Sequence, residues 1–245
     1  MSTIIKVGAV SYLNTKPLLY GIEHSSVINE IELSLDYPAL LAQQLKNGEI
    51  DMALLPVAAI PGIENARIVG KYGIATDGDV VSVAIFSNVP IEDVSDIYLD
   101  YQSRTSVRLA QLLLAKYWKK EITYHQAPTD YISKIDGTAA GVIIGDRALQ
   151  QLPNFKYVYD LSTAWKSFTG LDFVFAAWVS NKQLPAGFIE RFDAANEAGL
   201  QHIDVVIAQN PFPAYSLDVY YNKNIQYLLD DSKIKGLNTF LQMIQ

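Results

Sequence analysis

Ser11, Tyr12, Leu13, Asn14 and Thr15 place hydroxyls and an amide directly after the apolar run Val7–Val10 and directly before Lys16 and Pro17. Uncharged donors of this kind suit the binding of a carboxylate or the stabilisation of a developing oxyanion. Clusters of related character recur at Ser103, Arg104, Thr105 and Ser106, after "IYLDYQ", and at Gly145, Asp146 and Arg147, after "AAGVII". Asp146 is the carboxylate among them and a candidate general base. The alternatives for it are to cap the helix that follows or to pair with Arg147.

Other chemistries lack their residues. Without cysteine there is no disulfide, thiolate nucleophile or cysteine zinc site. The phosphate-loop, dinucleotide, nucleophile-elbow and H-E-x-x-H signatures are absent. His24, His125 and His202 are scattered and lie outside the polar turns, so no metal site is predicted. Asp77 and Asp79 read as an acidic turn before a strand.

The elements needed to hold these turns follow from periodicity. Ile4–Val10 reads as a strand buried on both faces, and Thr15 can cap a helix that has Pro17 in its first turn. Ile31–Leu35 alternates like a strand, and Leu40, Leu41 and Leu45 recur at helical spacing up to Gly48. "IDMALLP" is a further strand, and strand and helix in alternation predict an α/β protein with a parallel sheet. "VVSVAIFS", "IYLDYQSRTS" with the helix "SVRLAQLLLAKYW", and "AAGVIIGDRAL" repeat the scheme before "FVFAAWVSN" and a mostly helical tail from Ala186. A second strand-turn-helix set nested inside the first predicts two lobes, with crossings near residues 84–90 and 172–180. The working division is residues 1–86 and 178–245 in lobe 1 and 87–177 in lobe 2. In open parallel sheets ligands lie beyond the carboxyl ends of the strands, where helix N-termini favour anions. Two facing lobes would bring the three polar turns to one cleft.

Half of the 245 residues are hydrophobic, enough for a substantial core. A net charge of −7, from 26 acidic against 19 basic residues, argues against nucleic acid or an anionic membrane as partner. No basic segment followed by an apolar stretch precedes the first strand, and no apolar run approaches the roughly 18 residues that span a bilayer. These features predict a cytoplasmic protein that engages neither membrane nor nucleic acid; they assign no oligomeric state. Trp165, Phe168, Phe173, Phe175 and Trp178 crowd "AWKSFTGLDFVFAAW", with Phe173 or Trp178 as candidates for the apolar wall of a pocket. Tyr215, Tyr220, Tyr221 and Tyr227 read as packing of the tail onto a lobe.

In their order, "VGAVSYLNTKPLLYG", "NGEIDMALLPVA", "GDVVSVAIFS", "SRTSVRLAQLLL", "VIIGDRAL" and "TGLDFVFAAWVSN" resemble the menaquinone-biosynthesis chorismate dehydratases of the futalosine pathway. "SYLNTKP" is the specific element, whereas "IDMALLP" alone suits many solute-binding folds. The resemblance implies a fold similar to type II periplasmic binding proteins, with two α/β lobes around a central cleft. It implies a cytoplasmic, cofactor-independent hydro-lyase acting on a small dicarboxylate, chorismate. Carried over by motif, Asn14 and Ser82 take the catalytic places. Ser11, Tyr12, Ser103, Arg104, Thr105, Ser106, Gly145 and Asp146 are then substrate-binding candidates. The base is Asp146, another group or the substrate's own enolpyruvyl carboxylate. A sister family makes 1,4-dihydroxy-6-naphthoate later in the same pathway, but its usual histidine has no obvious counterpart here. A binding or sensor protein of the same fold is the rival from another class.

Overall fold

A computed structural model describes residues 4–245. The first half follows strand-helix alternation: β1 (Ile5–Ala9), α1 (Lys16–Glu23), β2 (Ile31–Leu35), α2 (Pro38–Asn47), β3 (Met52–Pro56) and β4 (Arg67–Thr76). Pro17 and Pro38 open α1 and α2, where their missing N–H groups need no intrahelical partner, and left-handed Gly48 closes α2. Next come β5 (Val83–Ser87), β6 (Asp96–Leu99), α3 (Arg104–Lys116), β7 (Thr123–Gln126), β8 (Ala139–Ile144), α4 (Gly145–Gln151), β9 (Tyr157–Asp160) and α5 (Leu161–Thr169). The chain ends with β10 (Phe173–Ser180), α6 (Ala186–Leu200), α7 (Ile203–Gln209), α8 (Leu217–Val219), β11 (Gln226–Leu228) and α9 (Asp231–Met243).

The strands form two sheets, ordered β11-β4-β10-β3-β1-β2 and β7-β6-β8-β5-β9. Each is mixed, where alternation alone predicts a parallel sheet. The units β2-β1-β3 and β7-β6-β8 are parallel, but β10 runs antiparallel to β3 and β4, and β5 runs antiparallel to β8 and β9. The antiparallel strands are the ones next to the passages between sheets. The chain leaves the first sheet after Thr76, enters the second at Val83 and returns at Phe173. Boundaries at 86/87 and 177/178 would therefore cut through β5 and β10.

Strand direction puts both passages at the carboxyl ends of the parallel strands. Ala176 pairs with Pro56 and Phe173 with Thr76, so the start of β10 lies beside the ends of β3 and β4. Val83 pairs with Ile144, so the start of β5 lies beside the end of β8. The sheet centres are fully buried through Val7, Leu54, Phe173, Val174 and Trp178 in one and Ile85, Ile97, Ala140 and Val142 in the other. Helices cover them: α1 lies against α6 with Gly21 and Gly199 in backbone contact, where a Cβ on Gly21 would run into the Ala195 carbonyl.

Candidate functional site

The carboxyl ends of both sheets border one cavity. The turn from β1 to α1 contributes Tyr12, Asn14 and Thr15, and the turn from β6 to α3 contributes Gln102, Ser103 and Ser106. Gly145 enters from the start of α4, and Ser82 from the passage into β5. Phe175, Ala176, Leu54, Ile74 and Ile144 supply apolar walls. No lining residue is charged, so an anion here would meet neutral donors and helix N-termini.

Local sequence explains how each turn presents its groups. Thr15 N–H closes a tight turn onto the Tyr12 carbonyl at 3.0 Å. The Thr15 side chain caps nothing, contrary to the sequence reading. It donates instead to Asn14 Oδ1 at 3.2 Å, which leaves Asn14 Nδ2 as a donor without a protein partner among the described residues. Ser103 caps α3 by accepting from Ser106 N–H at 3.1 Å, and its hydroxyl donates to Ser106 Oγ at 2.8 Å. Gly145 has a φ of +63°, which favours glycine, and its N–H reaches the Ser82 carbonyl at 2.7 Å.

Several contacts tie the two sheets' turns together. Tyr12 Oη donates to Gln102 Oε1 at 3.4 Å, Leu13 N–H to Asp146 Oδ1 at 3.2 Å, and Ala58 N–H to Thr105 Oγ1 at 3.1 Å. Burial pushes the Tyr12 hydroxyl up to about 12, with the Asp100 charge adding to it. Burial also raises the Asp146 carboxyl, against the opposing pull of the Leu13 N–H and Lys16.

Not every residue suggested by sequence reaches the cavity. Ser11 is exposed and accepts from Lys16 Nζ at 3.1 Å. Arg104 points into solvent, as the outward face of an amphipathic helix requires. Thr105 is fully buried, and its hydroxyl is taken by the backbone of the other sheet. Asp146 stands behind Gly145 outside the lining and does not pair with Arg147. The partner of Arg147 is buried Asp100, at 2.6 Å. Phe173 and Trp178 are sealed in the core, Trp178 bonding Asn196 at 3.3 Å, and the aromatic wall is Phe175. His24 stacks on Tyr20 with ring centroids 4.0 Å apart, His125 pairs with Asp96 at 2.8 Å and His202 faces the Ala198 carbonyl. Sequence reasoning does not single out Gln102 or Phe175. Extending the polar turn by one residue toward β6 would have found Gln102, but no local signal separates Phe175 from Phe173 two residues away on the same face.

The passage into β5 is held by Asp160. One carboxylate oxygen accepts from Ser162 and Thr163 N–H at 2.9 and 3.0 Å, and the other from Val81 N–H at 2.7 Å. Val81 has a φ of +54°, a costly conformation for a β-branched residue. Burial pushes the Asp160 carboxyl up to about 6, against the lowering effect of these N–H donors and with a smaller push from Asp79. An unfolded aspartate titrates near ~3.9. The folded state thus holds this proton more tightly, and the contribution to stability grows as pH falls through about 6, levelling off below the unfolded value. In urea unfolding between pH 7 and pH 4, Asp160 is expected to add on the order of 2–3 kcal/mol toward the acid side. That part of the slope disappears in Asp160→Asn, and an unchanged slope would refute the assignment.

Among the described residues no group of three or more His, Cys, Asp or Glu is placed to hold a metal ion, and no helix is long and apolar enough to cross a membrane. The alkanesulfonate-binding protein of Xanthomonas axonopodis superposes with a TM-score of 0.66 at 10% identity, over 97% of this chain and 90% of that one. The fold is periplasmic-binding-protein-like. A chorismate dehydratase of Thermus thermophilus is 25% identical over 270 residues, spanning 97% of this chain and 94% of its own. One from Campylobacter jejuni is 28% identical over 232 residues, spanning 91% and 86% respectively. Residues 5–245, which include every turn that lines the cavity, match the family described as menaquinone biosynthesis, and the chain belongs to that family.

Proposed function

We propose that the protein is a chorismate dehydratase, converting chorismate to 3-[(1-carboxyvinyl)oxy]benzoate and water in the cytoplasmic, futalosine route to menaquinone. The observation that carries this reading is the meeting of Asn14, Ser82, Ser103 and Ser106 around one uncharged cavity faced by Phe175. The relatives named chorismate dehydratase support the same conclusion.

The chemistry asks for little beyond positioning and charge stabilisation. The C3 proton of chorismate is acidified through conjugation with the ring carboxylate. As that proton leaves, its bonding electrons enter the ring, the C4–O bond breaks, and proton and hydroxide depart together as water. Carbon and oxygen oxidation states balance without an external oxidant or reductant. Aromatisation drives the step.

In this reading Ser103 and Ser106, at the N-terminus of α3, receive a substrate carboxylate. Asn14 Nδ2 and the Ser82 hydroxyl donate near C3 and C4, and Phe175 packs against the ring. Asp146 is engaged by Leu13 N–H and lies outside the lining, which favours the substrate's enolpyruvyl carboxylate as the base.

The test is to mix chelator-treated protein with chorismate and follow absorbance and mass. Loss of one water with aromatisation supports the proposal. Tight binding without conversion would replace it with a solute-binding or sensor role, which the fold itself permits. Neither binding nor conversion would point to the sister naphthoate reaction.

A further inference from the structure

Ser82 is fixed from the far end of the chain. Tyr220 Oη lies 2.8 Å from Ser82 Oγ across 138 positions of sequence, with Tyr220 fully buried and Ser82 almost so. The tyrosine sits in a π-helical turn, Tyr220–Asn224, a rare widened geometry that is frequent at functional sites. Asn224 in the same turn donates to the Asp79 carbonyl at 3.0 Å and accepts from Tyr215 Oη at 3.1 Å. The segment therefore grips the passage at Asp79 and Ser82, on either side of the left-handed Val81.

We propose that Tyr220 is a positioning residue of this site: its hydroxyl donates to Ser82 Oγ and so turns Ser82's own proton into the cavity, toward an oxygen of the substrate. A phenol is the stronger acid of two paired hydroxyls, so it gives the proton and the serine oxygen accepts. Burial raises the Tyr220 hydroxyl and keeps it protonated as a donor. A serine oxygen holding that bond has one remaining proton to give, and Ser82 lines the cavity. The tail is thereby more than packing, because it decides which way a site hydroxyl points.

The proposal rests on the dehydratase reading, and a double-mutant cycle separates the two. Wild type, Ser82→Ala, Tyr220→Phe and the double variant are assayed with chorismate for kcat, KM and Kd, and each is melted. Ser82→Ala is expected to lower kcat about 100-fold. Tyr220→Phe is expected to lower it about tenfold, with KM within about threefold of wild type. The double variant should fall within about twofold of Ser82→Ala alone, since Tyr220 acts only through that oxygen. Wild-type kcat in Tyr220→Phe, or multiplication of the two losses in the double variant, would overturn the proposal. A Tyr220→Phe protein that fails to fold, or that melts far below wild type, would assign the bond to stability and also overturn it. Wild type that binds chorismate without turnover defeats the dehydratase reading alone, and the same cycle is then read on Kd. Wild type that neither binds nor converts it defeats both.

Discussion

Asn14→Ala is expected to lower kcat/KM for chorismate by about 100- to 1,000-fold, the loss typical of removing one preorganised donor from a developing negative charge. The amide is already oriented in the free protein. Thr15 Oγ1 donates to its Oδ1 at 3.2 Å, and buried Thr15 cannot turn to water instead. Nδ2 is therefore the end free to act, at the mouth of α1 and on the wall of the cavity. Asn14→Asp makes the sharper test. It keeps the shape but puts a second anion beside an anionic substrate, so a donor role predicts a loss at least as severe as that of alanine. A purely structural role predicts near-normal turnover for aspartate. Steady-state kinetics on both variants, with melting temperatures as a control for folding, decide between these outcomes; wild-type turnover in Asn14→Ala would remove Asn14 from the mechanism.

Arg147→Ala is expected to destabilise the fold by about 3–5 kcal/mol, the usual cost of leaving one partner of a buried ion pair alone. The Asp100 side chain has no exposure and receives Arg147 at 2.6 Å, Tyr131 Oη at 2.7 Å and Gln102 N–H at 2.7 Å. Burial and the Asp100 charge keep the Tyr131 hydroxyl protonated as a donor. These two neutral bonds remain in the variant, but the countercharge does not. The same guanidinium nitrogen reaches Gln102 Oε1 at 3.0 Å, the oxygen that also accepts from Tyr12 across the cavity. Loss of Arg147 should therefore raise KM as well as lower the urea midpoint. Arg147→Lys should recover part of the stability, because an ammonium on a stem of different length and shape restores the charge without being held at the point between both acceptors. An unchanged midpoint for the alanine variant would overturn the assignment of this pair to stability.

These contacts mark where local and long-range information part. The strand-turn-helix units around Asn14, Ser103 and Gly145 are legible because their signals are local. An apolar run stops, hydroxyls or a glycine follow, and a proline, a serine cap or a left-handed residue opens the helix within a few positions. The fold class follows from the same signals, since alternation of such units leaves few architectures to choose from. Strand β4 is a different matter. Charged Arg67 and Lys71 interrupt its apolar pattern, and it is held as a strand by antiparallel partners about a hundred and more positions later, in β10 and β11.

By itself the sequence determined the family, the parallel units and the three polar turns, because each depends on residues close together along the chain. The tertiary structure decided which members of those turns reach the cavity. Thr105 and Ser103 belong to one hydroxyl cluster, yet Thr105 is spent on Ala58 and Ser103 faces the cavity. Phe175 rather than Phe173 forms the wall, Arg147 chooses Asp100 over its neighbour Asp146, and Tyr220 finds Ser82 from the other end of the chain. A hydrogen bond or wall contact depends on direction and on distances of a few ångströms. Across two sheets those are set by how whole layers pack, which no single turn encodes.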